Sequence, residues 1–192
     1  MMNNRIYLIL ISILIPLSIW GQHARFYDHP IDGPISKFDK MLLQEEDFTT
    51  SGSLNNNGSG TNSYDGKFLG LPCKLFVYYD PKEKNVYRVR VMIPVKTEEA
   101  ALRWLGNIVE PLIIYYDLDL EESTHGDYPS LQGYMMDVDH ITPGRHNIFD
   151  YTYDVGWVEL FIGKAGNQYG VLFDIYDIAN CEKYDKFPEN IK

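Results

Sequence analysis

The chain has 192 residues and carries 27 acidic against 17 basic side chains, a formal net charge of −10. With 45 % hydrophobic and 23 % charged residues, it has the composition of one ordinary globular domain and excludes a disordered or collagen-like chain. The acidic balance argues against nucleic acid or an anionic membrane surface as the main partner, because bulk repulsion would have to be overcome locally.

The first 21 residues read as a targeting segment. Met1 to Arg5 carries one positive side chain and no acid, and Ile6 to Trp20 is apolar except for Ser12, Pro16 and Ser18. That is a charged n-region followed by a secretory h-region, too short and too interrupted by proline for a membrane span. Cleavage after Gly21 is expected, with an uncleaved anchor as the competing reading. The expectation is an exported protein, periplasmic or extracellular, with no stable membrane span once the signal is removed. Residues 22–192 then form a single α+β domain. Cys73 and Cys181 would meet an oxidising compartment, where a bridge can persist. Cys73 also opens an apolar strand and suits the role of a small buried hydrophobe, so bridge and free thiols both stay open.

Along the rest of the chain, Gly33-Pro34 followed by Ile35, Phe38 and Met41/Leu42 predicts a short amphipathic helix that fades at Glu45-Glu46-Asp47. Ser51 to Ser63 is almost all Ser, Gly, Asn and Thr and reads as a flexible loop over 51–63. Cys73–Tyr79 and Val86–Ile93 alternate as strands, with Leu75, Val77, Tyr87, Val89 and Val91 on one side and Lys74, Phe76, Tyr78, Arg88 and Arg90 on the other. The six residues Asp80 to Asn85 between them suggest an antiparallel hairpin.

Thr97-Glu98-Glu99 has the hydroxyl cap and early carboxylates of a helix start. Ala101, Leu105, Ile108, Leu112 and Tyr115 share its apolar face, and Pro111 predicts a kink or break near Asn107. Asp117–Gly133 is acidic and turn-rich and reads as irregular. Phe149 to Val155, Trp157–Ile162 and Tyr169–Tyr176 then alternate as three strands of a meander, with Gly156 as the first turn. The predicted fold is α+β, in the order helix, strands, helix, strands. Two helices pack on one face of an antiparallel sheet of about five or six strands.

Several spaced motifs resemble those of a family of exported, uncharacterised proteins from gut Bacteroides-type bacteria. They are Phe26-x-x-x-Pro30-Ile31-Asp32-Gly33, Phe38, Leu42 and Phe48, then Gly66-x-Phe68-x-Gly70-x-x-Cys73. Val86-Tyr87-Arg88-Val89 with Trp104 follows, then Gly156-x-Val158-x-Leu160-x-Ile162 and Tyr176-Asp177-x-x-Asn180. The chain departs from the pattern at Tyr116-Asp117-Leu118, where a Tyr-Gly-x-Pro-like turn is expected. The resemblance implies export and an α+β fold, and no activity.

Two sets of residues could carry function. Asp137, Asp139 and His140, with His146 beyond and His125/Asp127 upstream, bring together carboxylates and imidazoles suited to a divalent metal. None of their spacings is that of a helical His-x-x-x-His site or a calcium loop. A small metal- or carboxylate-dependent hydrolase near Asp137–His146 is therefore the alternative reading, and no cofactor is assigned. No nucleophile elbow, Cys/His frame or phosphate loop is present in the sequence. The leading reading is an exported, non-catalytic binding or interaction module that uses the solvent-facing side of the sheet. Phe76, Tyr78, Arg88, Arg90, Trp157, Glu159 and Phe161 fall on that side, with Lys74, Asp174 and Tyr176 beside them. Aromatics mixed with opposite charges are enriched where proteins meet protein or glycan partners, but the same pairs also stabilise any half-exposed antiparallel sheet.

Overall fold

The computed structural model describes residues 23–44, 46–51, 60–138 and 152–187. The expected signal segment 1–21 lies outside them. Alternating strands and two amphipathic helices come out much as periodicity demands, in an α+β architecture with more strands than expected. After a two-stranded ribbon of β1 (Arg25–Phe26) and β2 (His29–Pro30) comes α1 (Ile35–Gln44). The short β3 (Thr49–Thr50) precedes β4 (Thr61–Phe68), β5 (Leu71–Tyr79) and β6 (Val86–Val95). Helix α2 (Glu98–Tyr116) leads to β7 (Leu118–His125), β8 (Tyr128–Val138), β9 (Thr152–Ala165), β10 (Gln168–Asp177) and α3 (Ile178–Tyr184).

Strands β3 to β10 form one antiparallel eight-stranded sheet in the order β3-β4-β5-β6-β10-β9-β8-β7. The sheet consists of two meanders. One runs outward-in through β3 to β6, the other through β7 to β10, and they join at β6–β10. Helix α2 carries the chain from the centre of the sheet to its far edge. The core lies between the sheet and α1, α2 and the N-terminal ribbon. Leu75, Val77, Val89, Val91, Val158 and Leu160 line this inner face, each 0–1 % exposed, and meet Phe38, Leu42, Ala101, Leu105, Ile108 and Leu112 of the helices. The alternation in β5, β6 and β9 therefore has the predicted phase.

Five expectations need correction. The sheet has eight strands, because Asp117–Gly133 is not irregular: it supplies β7 and most of β8, joined by a tight turn with Gly126 at φ 62°. Its acidic composition hid it, since Asp and Glu disfavour strands, whereas the Gly126-Asp127 pair is a hairpin signal. The three-strand meander is in fact a single hairpin. Gly156 sits inside β9 opposite Met135 and Asp177, where a Cβ would come 2.8 Å from that of Ala24. Helix α2 runs continuously through Pro111 and buries Tyr116 rather than Tyr115, which is 40 % exposed. A third helix, α3, is present, with Asp177 capping it by accepting from the Asn180 N–H at 2.8 Å. The stretch read as a loop over 51–63 ends earlier, because Thr61–Ser63 already pair with Phe76–Tyr78. Residues 52–59 lie outside the described residues.

The two cysteines are free and buried. Cys73 belongs to the main core, and Cys181 to a smaller cluster with Trp157 and Tyr176. The two clusters occupy opposite faces of the sheet, so the Cys73–Cys181 bridge does not form. Burial pushes each thiol up to about 12, which keeps both protonated and unreactive at neutral pH.

The segment around His23 and Ala24 is tied into this frame. Asp177 is fully buried, and its carboxylate accepts from the Ala24 N–H at 2.8 Å and from His23 Nδ1 at 3.1 Å. Asn180 Nδ2 donates to the Ile31 and Val86 carbonyls at 3.2 and 3.0 Å. The Tyr176-Asp177-x-x-Asn180 motif thus joins the segment His23–Ile31, β6 and α3. The hydrogen bond to Asp177 holds His23 above its ordinary value, against the effect of burial.

Candidate functional site on the outer face of the sheet

Antiparallel register converts the second set of alternating residues into rows running across the strands. One row is Tyr78, Arg88, Tyr176, Trp157 and Tyr134, and the next is Phe76, Arg90, Asp174, Glu159 and Gln132. A third is Lys74, Met92, Leu172 and Phe161. All seven proposed binding residues, Phe76, Tyr78, Arg88, Arg90, Trp157, Glu159 and Phe161, therefore share one face. Tyr87 does not follow the simple alternation. The register slips between Tyr78 and Tyr79, leaving Tyr87 without a partner in the ladder, and its ring packs with Trp157, Tyr176 and Cys181 instead of the main core.

At the centre stands Asp174. One Asp174 oxygen accepts from Arg90 Nε at 2.6 Å, and the other accepts from Arg90 Nη2 at 2.7 Å and Arg88 Nη2 at 2.5 Å. The two-point contact with Arg90 is the strong, planar form of this pairing. Burial would lower the Arg90 value, but the hydrogen bond and charge of Asp174 more than reverse it, so the guanidinium stays charged. The Tyr176 hydroxyl lies 3.3 Å from Asp174 and 3.4 Å from Glu159, and burial pushes its ionisation well above the usual phenol range. Arg88 is held between two rings, its Cζ 4.6 Å from the centre of Tyr78 and 4.5 Å from that of Tyr176. Trp157 meets Tyr134 edge to face at 4.9 Å.

This face departs from the expected open platform in one respect. Asp174 is 0 % exposed, Tyr176 3 %, Phe161 5 % and Trp157 7 %. Long side chains in neighbouring rows cover one another, and α3 closes the end near Trp157 with Cys181. What solvent meets is the periphery: Lys74, Tyr134 and the half-buried Phe76, Tyr78, Arg88, Arg90 and Glu159. The indole Nε1 of Trp157 and Nε of Arg88 are buried without a hydrogen-bond partner among the described residues; the Arg88 guanidinium lies between two rings instead.

Two hollows flank the network. One is a small cleft in which His125 stacks on Phe161 at 4.1 Å, beside Ser130, Gln132 and Glu159. The other, about 280 Å³, lies where the rows run out. Gly170 and Gly163 are paired there, and neither contributes a side chain. Met92, Leu172 and Phe161 floor it, and Arg90, Lys164, Gln168 and Tyr169 border it. Sequence reading missed Met92, Leu172, Tyr134 and His125 as members of this face. Tyr134 and His125 required the β7–β8 hairpin, and the glycine pair required the register.

The residues weighed for the alternative metal reading do not converge where they are described. His125 and Asp127 lie at the β7–β8 turn, whereas Asp137 is near the other end of β8, roughly 30 Å away along the strand. Asp139, His140 and His146 lie outside the described residues. Among the described residues, no group of three or more His, Cys, Asp or Glu is placed to hold a metal ion. No helix among them is long and apolar enough to cross a membrane. No family model, curated protein or solved structure matches the chain.

Proposed function

We propose that the chain is an exported, non-catalytic binding module that meets a protein or glycan partner with the outer face of its sheet. The supporting observation is the row-by-row order of that face. One buried carboxylate fixes two arginines, and four rings in one row stand at defined angles around them, so little side-chain freedom remains to be lost on binding. Flat rings suit the apolar faces of sugars, and the arginine edges suit carboxylates or backbone carbonyls. The reading also takes residues 1–21 as a cleaved export signal and keeps the resemblance to uncharacterised exported Bacteroides-type proteins as its setting.

The test must spare Asp174, because removing Arg88 and Arg90 would leave a buried carboxylate without its cations. A triple variant of the periphery, Lys74→Glu, Phe76→Ser and Tyr134→Ser, leaves the Asp174 pairs in place. Immobilised wild-type chain is expected to retain a partner from periplasmic extract or on a glycan array. The triple variant is expected to lose it while melting cooperatively. Equal retention by the folded variant would remove this face from the function.

A further inference from the structure

The two edges of the sheet end differently. The short β3 covers part of β4. By contrast, β7 is an eight-residue edge strand, and among the described residues no strand pairs with it other than β8. The register fixes which of its backbone groups are left over. The Met136 N–H donates to the Asp117 carbonyl at 3.1 Å, and the two-residue turn Gly126-Asp127 closes the His125–Tyr128 pair. Hydrogen-bonded pairs alternate along an antiparallel ladder, so Asp119, Glu121, Ser123 and His125 spend their backbone groups on β8. The N–H and C=O groups of Leu118, Leu120, Glu122 and Thr124 point away from the sheet. Such a row is a template for one more strand.

The two sides of that edge differ in chemistry. Asp119 and Glu121 extend the outer-face rows of Tyr134 and Gln132 and are exposed. Leu118 and Leu120, opposite Met135 and Gly133, continue the inner face, with Glu122 beyond them. Helix α2 packs against β7 on this inner side. Successive residues of a helix turn by about 100°, so the positions following its buried stripe, Leu102, Gly106, Val109 and Ile113, form one flank. Trp104 and Tyr115 belong to the other. Tyr115 lies beside Asp28 and Glu46, towards the ribbon and α1, so the flank with Val109 and Ile113 is the one towards β7. Leu102 and Ile113 are exposed on it.

We propose that β7 takes up an extended peptide alternating basic and apolar residues, as a ninth strand of the sheet. Main-chain hydrogen bonds to Leu118, Leu120, Glu122 and Thr124 hold it, and alternate side chains supply the selection. Its apolar residues lie towards Leu120, Val109 and Ile113, and its cations lie along Asp119 and Glu121. A second copy of the chain suits this edge poorly. Two β7 strands side by side would set carboxylates against carboxylates, in a chain with 27 acids and 17 bases. No residue of the Asp174 network takes part, so this edge and the outer face stand or fall separately.

The probe is the end-capped hexapeptide Val-Lys-Val-Lys-Val-Lys. Its controls are Val-Glu-Val-Glu-Val-Glu and the backbone N-methylated form of the lysine peptide, which keeps charge and side chains but cannot donate. With the full chain, the lysine peptide should bind saturably and slow amide hydrogen exchange at Leu120, Glu122 and Thr124. Both controls should bind at least tenfold more weakly. Glu122→Pro removes one outward N–H, a change that an edge strand accepts, and should weaken binding at least tenfold while the protein still melts cooperatively. Glu122→Gln keeps that N–H and should weaken binding by less than about threefold. Asp119→Lys/Glu121→Lys, both at exposed positions, should turn the preference to the glutamate peptide. Equal binding of the N-methylated peptide, binding without protection of the β7 amides, or no saturable binding would overturn the inference. Dimerisation of the free chain through β7 would overturn it too.

Discussion

The two faces of the sheet bury their residues by different means. On the inner face, Leu75, Val77, Val89 and Val91 are covered from above by α1, α2 and the N-terminal ribbon. On the outer face, Asp174, Tyr176 and Phe161 are as thoroughly buried, yet most of their cover comes sideways from the rows beside them. The inner face needs only apolar area and shape. The outer face needs matched charges and ring geometry, since a carboxylate without solvent must find its partners within the sheet.

The sharpest way to break this comparison is at Asp174. Asp174→Ala leaves two neighbouring guanidinium groups facing each other over a void and should cost about 3–5 kcal/mol in urea denaturation. Replacing the trio together, with Arg88→Met, Arg90→Leu and Asp174→Val, should recover most of that loss, because apolar packing substitutes well for a buried ion pair. If the single variant proves neutral, the outer face is not held by its charges. The inner-face counterpart is Leu112→Ala in α2. It removes a fully buried side chain and should cost about 3 kcal/mol, with no change in the salt dependence of stability.

The smallest effect concerns His23. His23 is held above its ordinary 6.5 by Asp177. A raised native value means its contribution is complete below the ordinary value of about 6.5 and is lost as the pH rises through the higher native value. Asp32, 3.7 Å from Nε2, faces the same imidazole. Wild-type melting temperature should therefore fall by a few degrees between about pH 6 and pH 8.5 relative to His23→Gln. Parallel pH profiles for the two proteins would show that the latch does not depend on the imidazolium.

Much of the inner face was legible without coordinates. Arg88 and Arg90 flanked by Val89 and Val91 specify which side of β6 is dry, and Thr97 with Glu98 marks where α2 begins. The misreadings have separate causes. Pro111 predicts a kink or break near Asn107 because a proline inside a helix costs a hydrogen bond, but the buried face from Ala101 to Tyr116 outweighs that loss. Asp119, Glu121 and Glu122 concealed β7, since at the edge of a sheet charged residues are tolerated and even protective. Tyr87 changed its packing because of a bulge that no local pattern announces. The seven outer-face residues were collected correctly because period-two alternation needs no tertiary information. Their burial could not be foreseen, because it depends on which strands are neighbours.

By itself the sequence determined the α+β class and the inward or outward sense of the residues in β5, β6 and β9, because side chains alternate along any extended strand. Only the tertiary structure decided that β6 pairs with β10. That single non-local pairing sets Arg88 and Arg90 against Asp174, aligns Gly170 with its neighbours and separates Cys73 from Cys181. The energy of such contacts depends on residues 84 or more positions apart in the chain, and nothing in the local pattern of either strand encodes its partner.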